Sequence, residues 1–139
     1  MLIGEYFHSI DAKGRMNIPS KLKNDLGENF ILTKGLDGCL FVYPMNEWER
    51  LSEKIRELPL TKSRNIQRFL FAAAAEVNLD KQGRILIPQN LREYANLLKD
   101  AVLVGVSTRA EIWSKEAYDR INEDITPENA AEIMEELGF

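Results

Sequence analysis

The sequence has few of the residues on which disulfides, metal sites and membrane spans depend. It contains one cysteine and one histidine among 139 residues, so no internal disulfide can form and a zinc cluster would need mostly carboxylates, which is unusual. No stretch approaches 18 consecutive apolar residues, and the first residues lack the basic start and apolar run of a signal peptide. We therefore expect no membrane span and, by default, a location in the cytoplasm.

Basic residues are in the minority. Lys and Arg total 18 against 22 Asp and Glu, and a net charge of −4 by itself argues against a nucleic-acid binder. The charges are segregated, however. Lys13, Arg15, Lys21 and Lys23 lie close together in the sequence, whereas residues 126–139 hold acids and no basic residue. Because segregated charges create local fields, the basic segment can attract an anion despite the overall sign.

One motif occurs twice. The segment "DAKGRMNIPSKL" begins at Asp11 and "DKQGRILIPQNL" begins at Asp80, with six of twelve positions identical. The likeness continues as Gly35 aligns with Gly105. This pattern predicts an internal duplication. One copy is too small to bury a good core alone, so we expect two copies packed around a pseudo-twofold axis.

Each copy reads as strand, turn, strand, short helix, strand, turn, strand and helix. In the first copy Trp48, Leu51, Ile55 and Leu58 follow helical spacing and predict one apolar face. A further helix is predicted over residues 61–75, and an acidic one after Thr126. The predicted fold class is α+β: a compact β-barrel of intertwined hairpins with helices at its rim. The predicted divisions are residues 1–58 for the first copy, 59–75 for the linking helix, 76–124 for the second copy and 125–139 for the acidic helix.

The repeated D-x-x-G-R pattern is typical of a tight turn. The Asp accepts backbone N–H bonds, Gly14 or Gly83 takes a positive φ, and the Arg pairs with the Asp. Seen once, such a short motif is more often structural than functional. Turn geometry and core packing account for the repeated Gly, Ile and Pro, but they account less well for the repeated Arg. Two guanidinium groups on pseudo-symmetric hairpins would suit guanine edges and phosphates.

The alternation of inward and outward side chains along the two strands predicts different contributions from the two arginines. If Met16 and Ile18 point inward, Arg15 points outward, and the same phase puts Arg84 and Leu86 outward in the second copy. The second strand is apolar on both faces after its arginine, as a strand covered by a neighbouring segment or subunit would be. We therefore expect Arg84 to contribute less than Arg15.

Taken together, these motifs resemble the MraZ family of bacterial transcriptional regulators. The resemblance includes the tandem D-x-x-x-R motifs, both "GR…IP" strands, "YPMNEWE" and "RNIQRFLFAAAAE", and it runs from Met1 to the final helix. It implies a duplicated AbrB-like (SpoVT-AbrB) fold of swapped hairpins and ring-shaped homo-oligomers. It also implies binding to direct repeats in double-stranded promoter DNA of a cell-division and cell-wall gene cluster that includes the protein's own gene, in the nucleoid. No cofactor, metal or small-molecule substrate is implied.

The resemblance also implies which residues of this chain contact DNA. The family's motif positions correspond to Asp11 and Arg15, and to Asp80 and Arg84. The chain departs from the family pattern at Lys23, where an arginine is expected, and a lysine keeps the charge without the bidentate geometry. Lysines would contact phosphates and amides could read adenine. The predicted DNA-binding set is Asp11, Lys13, Arg15, Asn17, Lys21, Asp80, Lys81 and Arg84.

Two other classes of function, an enzyme and a protein-binding adaptor, are less consistent with the sequence. An enzyme is not expected, because His8 is a packed or surface residue by its place in a strand and Cys39 has no basic partner nearby in sequence. A protein-binding adaptor is the stronger rival, since AbrB-like barrels also serve as antitoxin dimerisation domains. In that case Ile133, Met134 and Leu137 of the acidic helix would dock on a partner. Amphipathic helices usually face a core, so we expect these residues to pack on the same chain.

Overall fold

The computed structural model describes residues 1–139, as eight strands and six helices. The first copy contains β1 (Leu2–Ser9), β2 (Arg15–Asn17), α1 (Ser20–Leu26), β3 (Asn29–Lys34), β4 (Leu40–Pro44) and α2 (Met45–Glu57). Helix α3 (Leu60–Phe71) leads to the second copy. That copy contains β5 (Ala75–Asn78), β6 (Arg84–Leu86), α4 (Gln89–Tyr94), β7 (Asp100–Ser107), β8 (Ala110–Ser114) and α5 (Lys115–Glu123), and α6 (Pro127–Glu136) follows it.

The strands of the two copies interleave in an antiparallel sheet. Its order is β1-β7-β8-β4-β3-β5, so the first strand of each copy pairs with the third strand of the other. Strands β4 and β8 meet at the centre, where Leu40 pairs with Ile112 and Val42 with Ala110. Exchanging the two copies turns this order into its own reverse. The α+β class is confirmed, but the sheet is open, with β1 and β5 at its edges, so the predicted barrel is not confirmed.

Both copies contribute to one core. A cluster of 20 buried hydrophobic residues draws Met16 and Phe30 from the first copy and Ile85 and Leu103 from the second. The apolar face of each hairpin is thus covered by the other copy, as expected for units too small to fold on their own. The small second sheet, β2 paired with β6, lies where the two repeated motifs meet.

The short helices α1 and α4 are fastened to this core. Leu22 and Leu26 of α1 and Leu91 of α4 are buried, and α1 ends at Gly27, whose φ is 83°. Prolines precede both helices, at the positions where a missing N–H is tolerated. The core therefore fixes where each of these helices lies beside the turns.

Two helix boundaries differ from the sequence-based prediction. Helix α2 ends before Leu58, which is 44% exposed instead of completing the predicted apolar face. Helix α3 ends at Phe71, and the alanines that follow do not extend it to residue 75, because Ala75 pairs with Leu32 in the β3–β5 ladder. A non-local strand pairing thus overrides the local helical preference of alanine.

The expected packing of α6 on its own chain is wrong. No residue of this helix is buried, and Ile133, Met134 and Leu137 are 58%, 47% and 69% exposed. Helical periodicity identifies an apolar face, but it does not say which molecule covers that face. None of the six helices has the length and apolar character needed to cross a membrane.

Candidate nucleic-acid interface

The first D-x-x-G-R segment forms a turn that its aspartate holds closed. Asp11 Oδ1 accepts the backbone N–H groups of Lys13 and Arg15, both at 2.9 Å. The Gly14 N–H donates to the Asp11 carbonyl at 3.0 Å, and Gly14 has a φ of 89°. The aspartate and the glycine thus play the structural parts that the pattern predicts.

The second segment repeats this geometry. Asp80 Oδ1 accepts the N–H groups of Gln82 and Arg84 at 2.9 and 2.8 Å, and Gly83 has a φ of 76°. The Gly83 N–H donates to the Asp80 carbonyl at 3.0 Å. Both copies therefore present an arginine at the same point of the same turn.

Each arginine is oriented by its own aspartate. Arg15 Nε donates to Asp11 Oδ2 at 2.7 Å, and Arg84 Nε donates to Asp80 Oδ2 at 3.1 Å. The terminal nitrogens of the two guanidinium groups make no hydrogen bond within the protein. Arg84 Nη1 makes one further ion pair, with Asp11 Oδ2 at 3.9 Å. The side chains are 33% and 25% exposed, so both remain open to a partner.

The two turns lie side by side. In the β2–β6 ladder Asn17 is opposite Arg84, and Arg15 is opposite Leu86. Two crossed backbone bonds extend this ladder, from Ile18 N–H to the Gly83 carbonyl at 3.0 Å and from Ile87 N–H to the Gly14 carbonyl at 2.9 Å. The Asp11–Arg84 ion pair links the copies as well, which the sequence alone did not reveal.

The predicted alternation is confirmed. Met16, Ile18 and Ile85 are buried, while Leu86 is 56% exposed and points outward. No segment of this chain covers Leu86, so the outer face of the ladder is open. The remaining predicted contact residues, Lys13, Asn17, Lys21 and Lys81, are all exposed.

Two further basic side chains belong to this arrangement. The Arg92 guanidinium of α4 lies over Gly14 of the first copy, and the Lys23 ammonium of α1 lies over Gly83 of the second. Lys23 and Arg92 occupy the same position in the aligned copies. That correspondence is the sequence signal that could have identified them as one structural pair.

The aspartates are held ionised by the turns. The pKa of Asp11 is lowered from 3.8 to about 2, chiefly by the backbone hydrogen bond from Arg15 and also by the Arg15 side chain and the Lys13 N–H. The pKa of Asp80 is lowered chiefly by the backbone hydrogen bond from Arg84. Each carboxylate therefore stays charged and keeps its arginine in place across the physiological pH range.

The residues considered for an enzyme lie elsewhere. Cys39 is fully buried, and burial raises the pKa of its thiol to about 12. His8 is half-buried in β1, where burial lowers its pKa. No group of three or more His, Cys, Asp or Glu side chains is placed to hold a metal ion. The chemically distinctive arrangement of this chain is the pair of arginine turns.

Comparison with known proteins gives one consistent family. The sequence profile of the MraZ protein family, described as antitoxin-like, matches residues 1–68 and again residues 70–137. Two relatives named transcriptional regulator MraZ are each 58% identical to this chain. One is from Clostridium acetobutylicum, aligned over 142 residues, and the other is from Caldicellulosiruptor saccharolyticus, aligned over 143 residues. Both alignments cover the full length of this chain and of the relative. The relative of the same name in Natranaerobius thermophilus is 55% identical over 95% of each chain. These findings confirm the resemblance drawn from the sequence.

Proposed function

The chain belongs to the MraZ family, and on that premise we propose that it regulates transcription by binding double-stranded DNA sequence-specifically through its paired turns. The observation that carries this proposal is the geometry of Arg15 and Arg84. Each has its Nε bound to an aspartate, and the terminal nitrogens of both make no hydrogen bond within the protein, although Arg84 Nη1 lies 3.9 Å from Asp11 Oδ2. A guanidinium fixed in this way is already oriented to donate two parallel hydrogen bonds to guanine O6 and N7.

The other residues have supporting parts in this proposal. Asp11 and Asp80 position the arginines, since a carboxylate placed against a phosphate would repel it. Lys13, Lys21 and Lys81 contact phosphates, which sets the register without reading sequence. Asn17, opposite Arg84 in the ladder, is placed to read an adenine edge.

The local charge supports this assignment although the whole chain is acidic. Residues 11–26 carry four basic against two acidic side chains, and residues 80–94 carry three against two. In each segment the repeated aspartate is already paired with its arginine. The field near the turns is therefore positive, and it acts over roughly 10 Å at 0.1 M salt.

The proposal extends to the DNA target of the protein and to its oligomeric assembly. The targets are direct repeats upstream of a cell-division and cell-wall gene cluster that includes the protein's own gene. The protein acts in the cytoplasm, associated with the nucleoid. The protein binds them as a ring-shaped homo-oligomer of pseudo-twofold, swapped-hairpin protomers. The strand order that reverses on exchange of the copies supports this symmetry.

The test is a fluorescence anisotropy titration against a duplex from upstream of the protein's own gene. Losing a bidentate arginine–guanine contact of about 1–3 kcal/mol should weaken binding by about 5- to 150-fold in Arg15→Ala. Arg84→Ala should lose less, because Arg84 is less exposed and also contacts Asp11. Arg15→Lys should keep non-specific affinity but lose preference for the repeats, since lysine lacks the planar fork.

Arg56→Ala is the matched control, because Arg56 is an exposed arginine of α2 and should leave affinity unchanged. A folded Arg15→Ala protein with the affinity of the parent would refute the base-reading role. The adaptor alternative predicts a different outcome: no salt-dependent binding to the duplex, and co-purification of a protein partner.

A further inference from the structure

The outer face of the β2–β6 ladder presents four side chains, and one of them is apolar. Arg15 and Asn17 face outward from β2, and Arg84 and Leu86 face outward from β6. Leu86 is exposed, although Ile85 beside it in the same strand is fully buried. Isolated exposed leucines are common on protein surfaces and need no explanation. Leu86 differs from them because it lies directly opposite Arg15, within the surface proposed to read DNA.

The duplication places Leu86 where the first copy has Asn17. Because the arginines of the two repeated motifs align with each other, Asn17 aligns with Leu86. In the ladder Asn17 lies opposite Arg84. Leu86 lies opposite Arg15 in the same way. The two halves of this surface therefore share their arginine and differ in the residue beside it, which is an amide in one half and a side chain without hydrogen-bonding groups in the other.

The ladder has the dimensions of an element that enters the major groove. Its two strands lie about 4.8 Å apart, as in any sheet, and the major groove of B-DNA is about 12 Å wide and admits a two-stranded ribbon. The inner face of the ladder is anchored in the core by Met16 and Ile85, which are both buried. Leu86 is thus presented to a duplex on a rigid support.

One group in the major groove suits a leucine side chain. A leucine against a phosphate or a polar base edge would remove water from that group without replacing its hydrogen bond, which is unfavourable. Thymine differs from the other bases because it presents its C5 methyl group in the major groove. Contact between that methyl group and Leu86 removes apolar surface of both from water.

We propose that Leu86 is a specificity-determining residue that contacts the methyl group of one thymine in each repeat, an inference that rests on the proposed function. Outward side chains two residues apart on a strand lie about 6.6 Å from each other, more than the 3.4 Å rise of the duplex, so Leu86 and Arg84 reach different base pairs. Asn17 reads an adenine at the equivalent place in the other half. One protomer therefore binds a non-palindromic site in a single orientation, as direct repeats require.

Replacing thymine by uracil tests this contact, because the substitution removes only the methyl group. Each thymine of one repeat in the operator duplex is replaced in turn by deoxyuridine, and the affinity of the parent is measured by fluorescence anisotropy. At one position the replacement should weaken binding about 4-fold, the factor that corresponds to about 0.8 kcal/mol for one buried CH₂ group. Deoxyuridine outside the repeats should leave the affinity unchanged and is the internal control.

Leu86→Ser tests which residue makes the contact. This variant should bind the unmodified duplex about 4-fold more weakly or worse. The critical deoxyuridine should weaken its binding no further, because the methyl group has already lost its partner. The matched control is Leu60→Ser, which changes an exposed leucine of α3 outside the ladder. The control should keep both the affinity of the parent and its sensitivity to deoxyuridine.

Leu86→Asn should change the base preference instead of removing it. Both halves of the ladder then carry an amide beside the arginine, and an amide reads adenine through N6 and N7. This variant should prefer, by about 5-fold or more, a duplex in which the critical T·A pair is inverted to A·T, whereas the parent should prefer the original duplex. Partial unfolding cannot produce this result, because it would weaken binding to both duplexes equally.

Four outcomes would overturn the proposal. Deoxyuridine could have no effect at any position of the repeat, or its effect could add to that of Leu86→Ser, which would assign the methyl group to another residue. Leu86→Asn could keep the preference of the parent. Leu86→Ser could change the size of the protein in size-exclusion chromatography while deoxyuridine has no effect, which would place Leu86 at a contact between copies. In each case a loss of affinity in Arg15→Ala would leave the proposed function intact, whereas a parent that does not bind the duplex refutes both.

Discussion

The guanidinium of Arg92 lies directly over Gly14, with its Cζ 2.5 Å from the position that a Cβ atom at Gly14 would take. Arg92 belongs to the second copy and Gly14 to the turn of the first. Its Nε also donates to the Ile87 carbonyl at 2.9 Å, which holds the side chain in place. The mirrored contact of Lys23 over Gly83 closes the other turn. The two turns therefore form one structural unit, so a substitution in either turn also alters the contacts of the other.

Gly14→Ala should destabilise the protein more than Gly38→Ala. The two glycines have nearly the same φ, 89° and 88°, but a Cβ at Gly38 would meet nothing within 4 Å. Positive φ alone costs about 1–2 kcal/mol for an alanine, so Gly38→Ala measures that strain by itself. Urea unfolding should show a larger loss of unfolding free energy for Gly14→Ala, because the Arg92 guanidinium must then move away from the turn and from the Ile87 carbonyl.

A second variant identifies the cause of that difference. Adding Arg92→Ala to Gly14→Ala should recover part of the lost stability, since the clashing side chain is gone. Equal losses of unfolding free energy in the two glycine variants would contradict the close approach of Arg92.

Asp11→Asn should flatten the acid limb of the stability curve. The pKa of Asp11 is lowered to about 2, from 3.8, mainly by the backbone hydrogen bond from Arg15. A group with a lowered pKa in the folded state contributes stability above its unfolded pKa and loses that contribution as pH falls through the folded value. The parent should therefore lose stability between about pH 4 and pH 2 more steeply than the Asn variant.

Urea unfolding at a series of pH values measures this difference. Glu57→Gln serves as the control, because it removes an exposed carboxylate that makes no hydrogen bond. Parallel acid limbs for the parent and Asp11→Asn would show that the turn does not depend on the ionised carboxylate.

Local features of this fold could be predicted from the sequence, and non-local ones could not. The need for glycine at Gly14, the capping by Asp11 and the outward face of Leu86 follow from turn chemistry and strand alternation. The end of α3 at Phe71 depends on a ladder with β3, which no local pattern contains. The sequence distinguishes Lys23 only by its departure from the family pattern, whereas its contact with Gly83 arises only when the two copies interleave.

Cys39 should be unreactive in the folded protein. Its side chain is fully buried, its Sγ lies 3.2 Å from the Leu36 carbonyl, and burial raises the pKa of the thiol to about 12. Because the thiolate is the reactive form, almost none is present at pH 8. An aromatic disulfide reagent should label the native protein very slowly and the urea-unfolded protein within minutes. Rapid labelling of native protein would mean that the connection between β3 and β4, where Cys39 lies, opens readily.

DNA affinity should rise steeply with the number of repeats in the operator. Each protomer offers one small pair of turns on an acidic protein, so a single repeat should be held weakly. In a ring, later contacts become intramolecular and can add factors of about 10² to 10⁴ without any new contact chemistry. Because a rigid ring reaches only repeats on the matching face of the duplex, inserting half a helical turn between two repeats should remove the gain. Anisotropy titrations with one, two and three repeats measure this dependence. Equal affinity of the parent for all of these operators would mean that each protomer binds independently and that assembly has no part in DNA recognition.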